Sequence, residues 1–376
     1  MDPEPLMNTD SRRALAELLE TLREADERWV SPEWNLLTAD DAVDAHRALM
    51  HYLQWGLVGL FERDPSAPRF RRMVDPDRKL LGDNPDAIYF DAPVSADHSY
   101  RVRGETKGAV YMSISIESGD AWGSMDNQVV GVINDTSLDI DADGRFEITL
   151  GGEPRERNWL ALPSGAGSIS TRHYFEDTTH AAADPARVPL MEIEVIDGAP
   201  PPRPSDASVS AGIRRVAALV RELTVDRPPI AQGEPRSWIS LVPNQFPTPG
   251  PPGDVGLSAL DAAYAMAPFV IGPDEALVIR ARWPQCRYAH VSLWNRHLQT
   301  LDYTARSVSL NRTQTVADAD GRFIAVIAHS DPGTPNWLDT EGRPFGIVFW
   351  RFMLPEGDIE TPQAQLVPLG DLPTHL

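Results

Sequence analysis

Apolar positions along the chain fall into two rhythms. Leu15, Leu18, Leu19 and Leu22 recur at helical spacing behind the polar Asp10-Ser11, which predicts an amphipathic helix over about residues 11–28. Thr38 and Asp41 have the spacing of a capping-box variant, and Val43, Leu49, Met50, Leu53, Leu57 and Phe61 form the stripe of a second helix that Asp64-Pro65 stops. From there to about residue 197 the rhythm shortens to β-rich runs between Gly, Asp, Asn and Pro. Strands are predicted at Tyr100–Arg103, Val110–Ile116, Val129–Ile133, Phe146–Leu150, Ile169–Phe175 and Met191–Ile196. Gly198 to Pro204 reads as a stiff linker, followed by a third helix capped by Ser205 or Asp206 with Val209, Ile213, Val216, Ala217, Val220 and Leu223 on one face. Residues 227–254 then carry eight prolines together with Trp238, Ile239, Leu241 and Phe246, the composition of a segment that packs onto something.

Comparison of the chain with itself uncovers a repeat. Asp141-Ala-Asp-Gly-Arg-Phe146 returns as Asp318-Ala-Asp-Gly-Arg-Phe323, and Tyr111 and Ser115 return as Tyr288 and Ser292. Asn158-Trp159-Leu160 matches Asn336-Trp337-Leu338, Arg172 matches Arg351, and Asp86-Ala87-x-Tyr89 matches Asp261-Ala262-x-Tyr264. These collinear matches describe two copies of one all-β unit. The expected fold is mainly β: two tandem β-sandwich or jelly-roll-like repeats with N-terminal and linker α-helices. The expected divisions are an N-terminal helical segment over 1–82, a first sandwich over 83–197, a linker helix with proline-rich loop over 198–257, and a second sandwich over 258–376.

Composition narrows the function. With 34 basic against 55 acidic residues and a net charge of −21, the surface repels nucleic acid and anionic membranes. Lys79 and Lys107 are the only lysines, and neither stands in a recognisable motif. Cys286 is the single cysteine, so an intramolecular disulfide and a cysteine-rich zinc site are excluded, and a reducing cytoplasm is the expected location. The start, Met1 to Pro5, lacks the layout of a secretory signal, and no apolar run approaches the ~20 residues that span a bilayer. No GxSxG elbow, phosphate loop or GxGxxG turn is present, which disfavours the corresponding hydrolases, NTPases and dehydrogenases; no cofactor is predicted.

Few constellations carry chemistry. Asp139-x-Asp141-x-Asp143-Gly144 matches half of a calcium loop, but its twelfth position is Leu150, so an Asp-Gly hairpin turn is the preferred reading and no metal is expected. Positions alike in both copies, Asn158/Asn336, Trp159/Trp337 and Arg172/Arg351, are expected to serve the fold, the arginines by pairing with a sheet carboxylate. Differences between the copies point toward function. His290 stands where the first copy has Ser113, Trp294-Asn295-Arg296-His297 replaces Glu117-Ser118-Gly119-Asp120, His329 replaces Gly151, and Trp350 replaces Thr171. Convergence of His290, His297 and His329 at one end of the second sandwich would make an acid–base set. Trp238, Phe246, Trp294, Asn295, Arg296, Arg312 and Trp350 are the ligand-binding candidates, with Asp302, Tyr303, Arg306 and Asn311 adding polar groups nearby. A packed inter-domain contact is the alternative for the same aromatic residues.

Asn84-Pro85-Asp86-Ala87-Ile88-Tyr89, followed by a β-run, resembles the opening motif of the domain-of-unknown-function 1254 family. His329-Ser-Asp-Pro-Gly-Thr-Pro-Asn336-Trp337-Leu338, then Arg343 to Arg351 and the Leu354-Pro355-Glu356 exit, resembles the ending of the 1214 family. The helices through Arg78 to Asp86 resemble actinobacterial full-length members, so the likeness covers nearly the whole chain. It implies a β-sandwich or jelly-roll architecture and brings no catalytic residues.

The resulting expectation is a cytoplasmic protein that binds a small apolar or aromatic metabolite between the repeats or at an end of the second, with non-redox acid–base chemistry by His290, His297 or His329 and an anionic group held by Arg296 or Arg312. A carbohydrate-binding or glycan-acting jelly roll is the second reading, marked by aromatic platforms. A structural module that assembles as a homo-oligomer is the third.

Overall fold

The computed structural model describes residues 8–34, 36–119, 127–196, 198, 200–227, 234–253 and 257–372. The opening Met1–Pro5 and Asp120 lie outside the described residues.

Helix α1 spans Asp10–Trp29, α2 Ala39–Gly59 and α3 Asp206–Leu223. Thr9 caps α1, while Thr38 with Asp41 and Ser205 with Ser208 form capping boxes on α2 and α3, so the orphan N–H groups of each first turn are met locally. The three helices share one core of Ala25, Trp29, Leu49, Tyr52, Trp55, Leu219, Val220 and Leu223. The buried faces of α1 and α2 differ from the leucine stripes read in the sequence. Leu15, Leu19, Val43, Met50 and Leu57 are exposed, and the inward faces carry Ala14, Leu18, Ala25 and Trp29 on α1 and Ala45, Ala48, Leu49, Tyr52 and Trp55 on α2. Close approach of α2 to α3 explains the choice on α2: a Cβ at Gly56 would stand 3.1 Å from Val216, and one at Gly212 would stand 2.3 Å from the Phe61 carbonyl oxygen. Small residues permit that spacing, and leucines do not. No helix among the described residues is long and apolar enough to cross a membrane.

The described residues form 17 strands in four sheets. In the first unit β1 (Arg71–Arg72), β2 (Ala87–Pro93), β8 (Ala166–Tyr174), β4 (Tyr111–Ser118) and β5 (Val129–Asn134) make one sheet in that order, and β7 (Trp159–Leu160), β6 (Arg145–Leu150), β3 (Tyr100–Glu105) and β9 (Met191–Val195) the other. In the second unit β10 (Ala262–Val270), β16 (Phe345–Met353), β12 (Tyr288–Trp294) and β13 (Ser309–Asn311) face β15 (Trp337–Asp339), β14 (Arg322–Ala328), β11 (Glu275–Arg282) and β17 (Gln363–Pro368). Each strand from β2 to β9 has its counterpart eight strands later, in the same sheet order. The parallel pairs β6/β7 and β14/β15 also correspond. The chain is mainly β, built of two repeated sandwich-like units.

The repeated residues hold equivalent joints. Asn158 has a left-handed φ of 48°, accepts the Asp139 N–H at 2.7 Å and donates to the carbonyls of Asp139 and Glu147; Asn336, with φ 57°, does the same with Val316 and Ile324. Trp159 and Trp337 donate their indole N–H groups to the carbonyls of Gly151 and Ala328. Asp141 accepts the N–H groups of Asp143 and Arg145 beside Gly144 at φ 79°, so its carboxylate is engaged in closing a hairpin turn. The proline-rich segment lies along the outer edge of β10, where Trp238, Ser240 and Gly250 exchange backbone hydrogen bonds with Tyr264 and Met266. It covers an edge that would otherwise present unpaired groups.

Strand alternation decides where each unit is apolar. On β4, Met112, Ile114 and Ile116 enter the first sandwich core, while Tyr111, Ser113, Ser115 and Glu117 point the other way. On β12, Ala289, Val291 and Leu293 enter the second core, while Tyr288, His290, Ser292 and Trp294 point the other way. These outward faces are buried as well, because the two sheets meet there: Ala87, Tyr111 and Tyr174 of the first unit pack with Tyr264, Tyr288, Trp294 and Phe349 of the second. Besides the helical core, the molecule thus has two sandwich cores and, between them, a layer rich in phenols, hydroxyls and charge.

Burial also reaches four histidines, His51, His173, His290 and His297. It lowers His51 and His173 to about 4 and His297 to about 3, and holds His290 well below the usual imidazole range.

Two predictions follow from the fold. Asn158→Ala and Asn336→Ala each remove three hydrogen bonds and leave a left-handed backbone to an L residue that resists it, so each should cost about 2–4 kcal/mol in denaturant unfolding; a loss under about 1 kcal/mol at both sites would contradict the joint. The four depressed histidines bind protons in the unfolded chain but not in the folded one, so their contribution is complete above about pH 6.5 and is lost on acidification toward pH 4. Over that window His173→Gln should flatten the stability–pH slope by up to about 1.4 kcal/mol per unit; an unchanged slope would show that His173 titrates normally.

Candidate functional site

The layer between the units has a pseudo-twofold plan. Tyr111 of the first unit hydrogen-bonds Asp261 of the second, and Tyr288 of the second donates to Asp86 of the first at 3.1 Å. Since Tyr111 corresponds to Tyr288 and Asp86 to Asp261, these are one contact made twice in opposite directions, as in a symmetric dimer. Asp86 also receives Asn311 Nδ2 at 3.0 Å and lies 2.8 Å from His180 Nδ1. Around this frame Arg312 grips Glu176 through two nitrogens, and Arg287 pairs with Asp135.

Arg172 on β8 and Arg351 on β16 are the buried charges of the layer, and their surroundings differ. Arg172 donates to Ser115 Oγ at 2.8 Å and to the Ser258 carbonyl, with the Glu117 carboxylate 3.8 Å away. Glu117 accepts a hydrogen bond from Ser170 Oγ, so Glu117, Ser170 and Arg172 form a balanced group. In the second unit the same three positions are Trp294, Phe349 and Arg351. Trp294 stacks on Phe349 with centroids 4.1 Å apart, and the Arg351 guanidinium lies 5.0 Å from the Phe349 ring. The carboxylate has been replaced by indole. Arg351 keeps two hydrogen bonds, to Tyr89 Oη and to the Gly82 carbonyl, both 3.2 Å, and its Nε has no partner. Among the described residues it forms no ion pair, which corrects the expectation that it matches a sheet carboxylate.

Magnitudes show that this arrangement is unbalanced. Removing a guanidinium from water costs several kcal/mol even after relaxation. Contacts with the rings of Tyr174, Tyr264 and Phe349 return about 0.5–2 kcal/mol each at best. Arginine does not shed its proton. The nearby His290 cannot offset the charge, since an imidazole is neutral or cationic, and burial with the Arg351 charge keeps it neutral.

Beside Arg351 lies a cavity of about 70 Å³. Its polar wall holds Arg172, Arg351, Tyr89, Tyr174 and Tyr264, and its apolar wall holds Met73, Val74, Leu80, Leu81 and Leu257. Apart from Leu257, which precedes β10, the apolar wall comes from the strap between α2 and β2, on which the helices sit through Met73, Val74 and Leu80. Gly82 ends the strap with φ 85°, and a Cβ there would come within 2.8 Å of Trp294. The tryptophan that displaced the carboxylate also fixes the carbonyl that meets Arg351.

The sequence-derived candidates lie elsewhere. His297 stacks on Trp29 at 4.6 Å beneath the helices, His329 meets Thr340 Oγ1 and the Ile271 carbonyl, and His290 packs against Tyr288 and Phe349 with both ring nitrogens unpartnered. The three share no partner. Trp350 and Phe246 pack on each other in the second core, Trp238 packs on Tyr264, and Asn295 closes the hairpin to Gln299. Arg296 is tied to Asp41 and the Trp34 carbonyl, and Arg312 to Glu176. None of these lines the cavity, although Trp294 supports its edge. Cys286 is half-buried, and burial pushes its thiol up to about 11, away from nucleophilic use. In the sequence Arg351 is masked by its twin Arg172, which gives it the look of a structural residue; the signal that marks it is a charge inside the apolar strand Phe345–Met353 together with the exchange of Glu117 for Trp294.

A crystal structure of an uncharacterised protein from Burkholderia cenocepacia is similar along the whole length, with a TM-score of 0.81, 25% identity, and coverage of 96% of this chain and 98% of that one. A Vibrio parahaemolyticus protein shares the fold at a TM-score of 0.50 and 11% identity, over 86% of this chain and 99% of that one. No curated protein matches the chain. The family model described as protein of unknown function (DUF1214) matches residues 89–176, within the first unit, whereas the motifs that resemble the family's ending stand in the second. Over its first β unit the chain is therefore similar to the DUF1214 family.

Proposed function

We propose that the protein binds a small organic anion in the cavity between its two β units, with Arg351 as the group that receives the negative charge. One observation carries this reading: Arg351 is a buried guanidinium without a carboxylate at the position where its twin Arg172 has Glu117. A bound anion supplies the missing charge, and the burial of the Arg351 guanidinium strengthens that interaction. The expectation of a small metabolite between the repeats is kept, with Arg351 in place of Arg296 or Arg312 as the anion-holding residue. Binding of sugars to aromatic platforms has less support, since the exposed large apolar side chains among the described residues include no Trp, Tyr or Phe.

The test separates a binding arginine from a structural one. A ligand of a few heavy atoms reaches a dissociation constant on the order of 0.1–1 mM, so sodium acetate at about 100 times that constant should stabilise the protein by about 2.7 kcal/mol relative to sodium chloride of equal ionic strength. Arg351→Gln should abolish the acetate effect while leaving the ligand-free protein within about 1 kcal/mol of wild type or more stable, because an uncompensated buried charge has been removed. No acetate effect in wild type, together with a loss of 3–5 kcal/mol in Arg351→Gln, would make Arg351 part of the scaffold.

A further inference from the structure

We infer that the ligand class is a short aliphatic monocarboxylate, an inference that rests on Arg351 being the anion site. Charge sets the valence. Arg172 and Arg351 contribute two positive charges to the polar wall and the Glu117 carboxylate beside Arg172 offsets one, leaving room for a single negative charge. Asp83, which also borders the cavity, is pushed up by burial and makes no ion pair among the described residues; the charge it carries is offset at longer range by Lys79, whose ammonium is held by the carbonyls of Thr300 and Leu301 at 2.7 Å each. A dicarboxylate or phosphate dianion would bury an excess charge.

Volume and wall chemistry set the rest of the molecule. About 70 Å³ is less than half of the ~150 Å³ that accommodates a benzene ring in an engineered protein cavity. Aromatic acids are therefore too large, and so is butyrate, which has as many heavy atoms as benzene; acetate and propionate are near the limit. Met73, Val74, Leu80, Leu81 and Leu257 are all aliphatic and offer no hydrogen-bonding group from their side chains, so they favour methylenes over a second polar end. A carboxylate on Arg351 with a short tail against the strap satisfies both walls.

The experiment is a calorimetric titration of the full chain with sodium acetate, propionate, butyrate, hexanoate, benzoate, malonate and phosphate at constant ionic strength. Affinity should rise roughly fourfold from acetate to propionate, fall at butyrate and hexanoate, and be at least about tenfold weaker for benzoate, malonate and phosphate than for propionate. Glu117→Gln, which frees the second positive charge, should raise malonate affinity relative to propionate. Equal or tighter binding of benzoate, malonate or phosphate in wild type, or a flat series from acetate to hexanoate, overturns the monocarboxylate class while leaving an anion site in place. Failure of every anion to bind overturns the underlying reading as well.

Discussion

A guanidinium enclosed in protein needs a negative charge, and this fold encloses two of them in the layer where its halves meet. The layer exists because strands β2, β4 and β8 and their counterparts β10, β12 and β16 have two buried faces of different chemistry. One face is aliphatic and fills a sandwich. The other carries Tyr, Ser, Arg and His, and it can be buried only because the second copy presents matching groups: Tyr111 to Asp261, and Tyr288 to Asp86. A satisfied polar layer fixes the relative placement of the units, since a shift of either sheet would strand these groups at once. Arg172 has a carboxylate beside it and Arg351 has none, and the cavity borders both.

Duplication accounts for how such a site can arise without loss of the fold. Both units keep the asparagine joints, the tryptophan donors and the Asp-Gly turns that hold their loops, so the scaffold does not depend on the face between the units being symmetric. The replacement of Glu117 and Ser170 by Trp294 and Phe349 converts an ion-paired group into an aromatic stack. That change removes a counter-ion, presses on Gly82 and helps enclose the space. Helices α1 to α3 contribute indirectly by holding the strap that forms most of the apolar wall.

Much of the architecture was legible in the sequence. Turn residues and β-branched runs marked six strands of the first unit, Thr38 and Ser205 marked helix starts, and the collinear repeat showed that the second unit copies the first. The orientation of helix faces was not, because Leu15 and Leu19 satisfy helical spacing as well as Ala14 and Leu18 do, and only the packing on α3 selects between them. The site was hidden for a related reason. Alternation along Tyr111–Ser118 separates an apolar face from a polar one, yet it does not reveal that the polar face is covered. Without that knowledge Arg172 and Arg351 look alike, and the divergent His290, His297 and His329 attract attention that belongs to the arginine beside a divergent tryptophan.

The central claim is a location: an anion bound to Arg351 between the two units. It is tested most directly by a crystal structure grown with chloroacetate in chloride-free buffer, whose chlorine can be placed by anomalous scattering at long wavelength independently of how water is interpreted. One strong chlorine peak is expected among Leu80, Leu81 and Leu257, with the carboxylate within hydrogen-bond distance of the Arg351 guanidinium. A cavity holding only water, with the chlorine absent or bound on the outer surface, would contradict it.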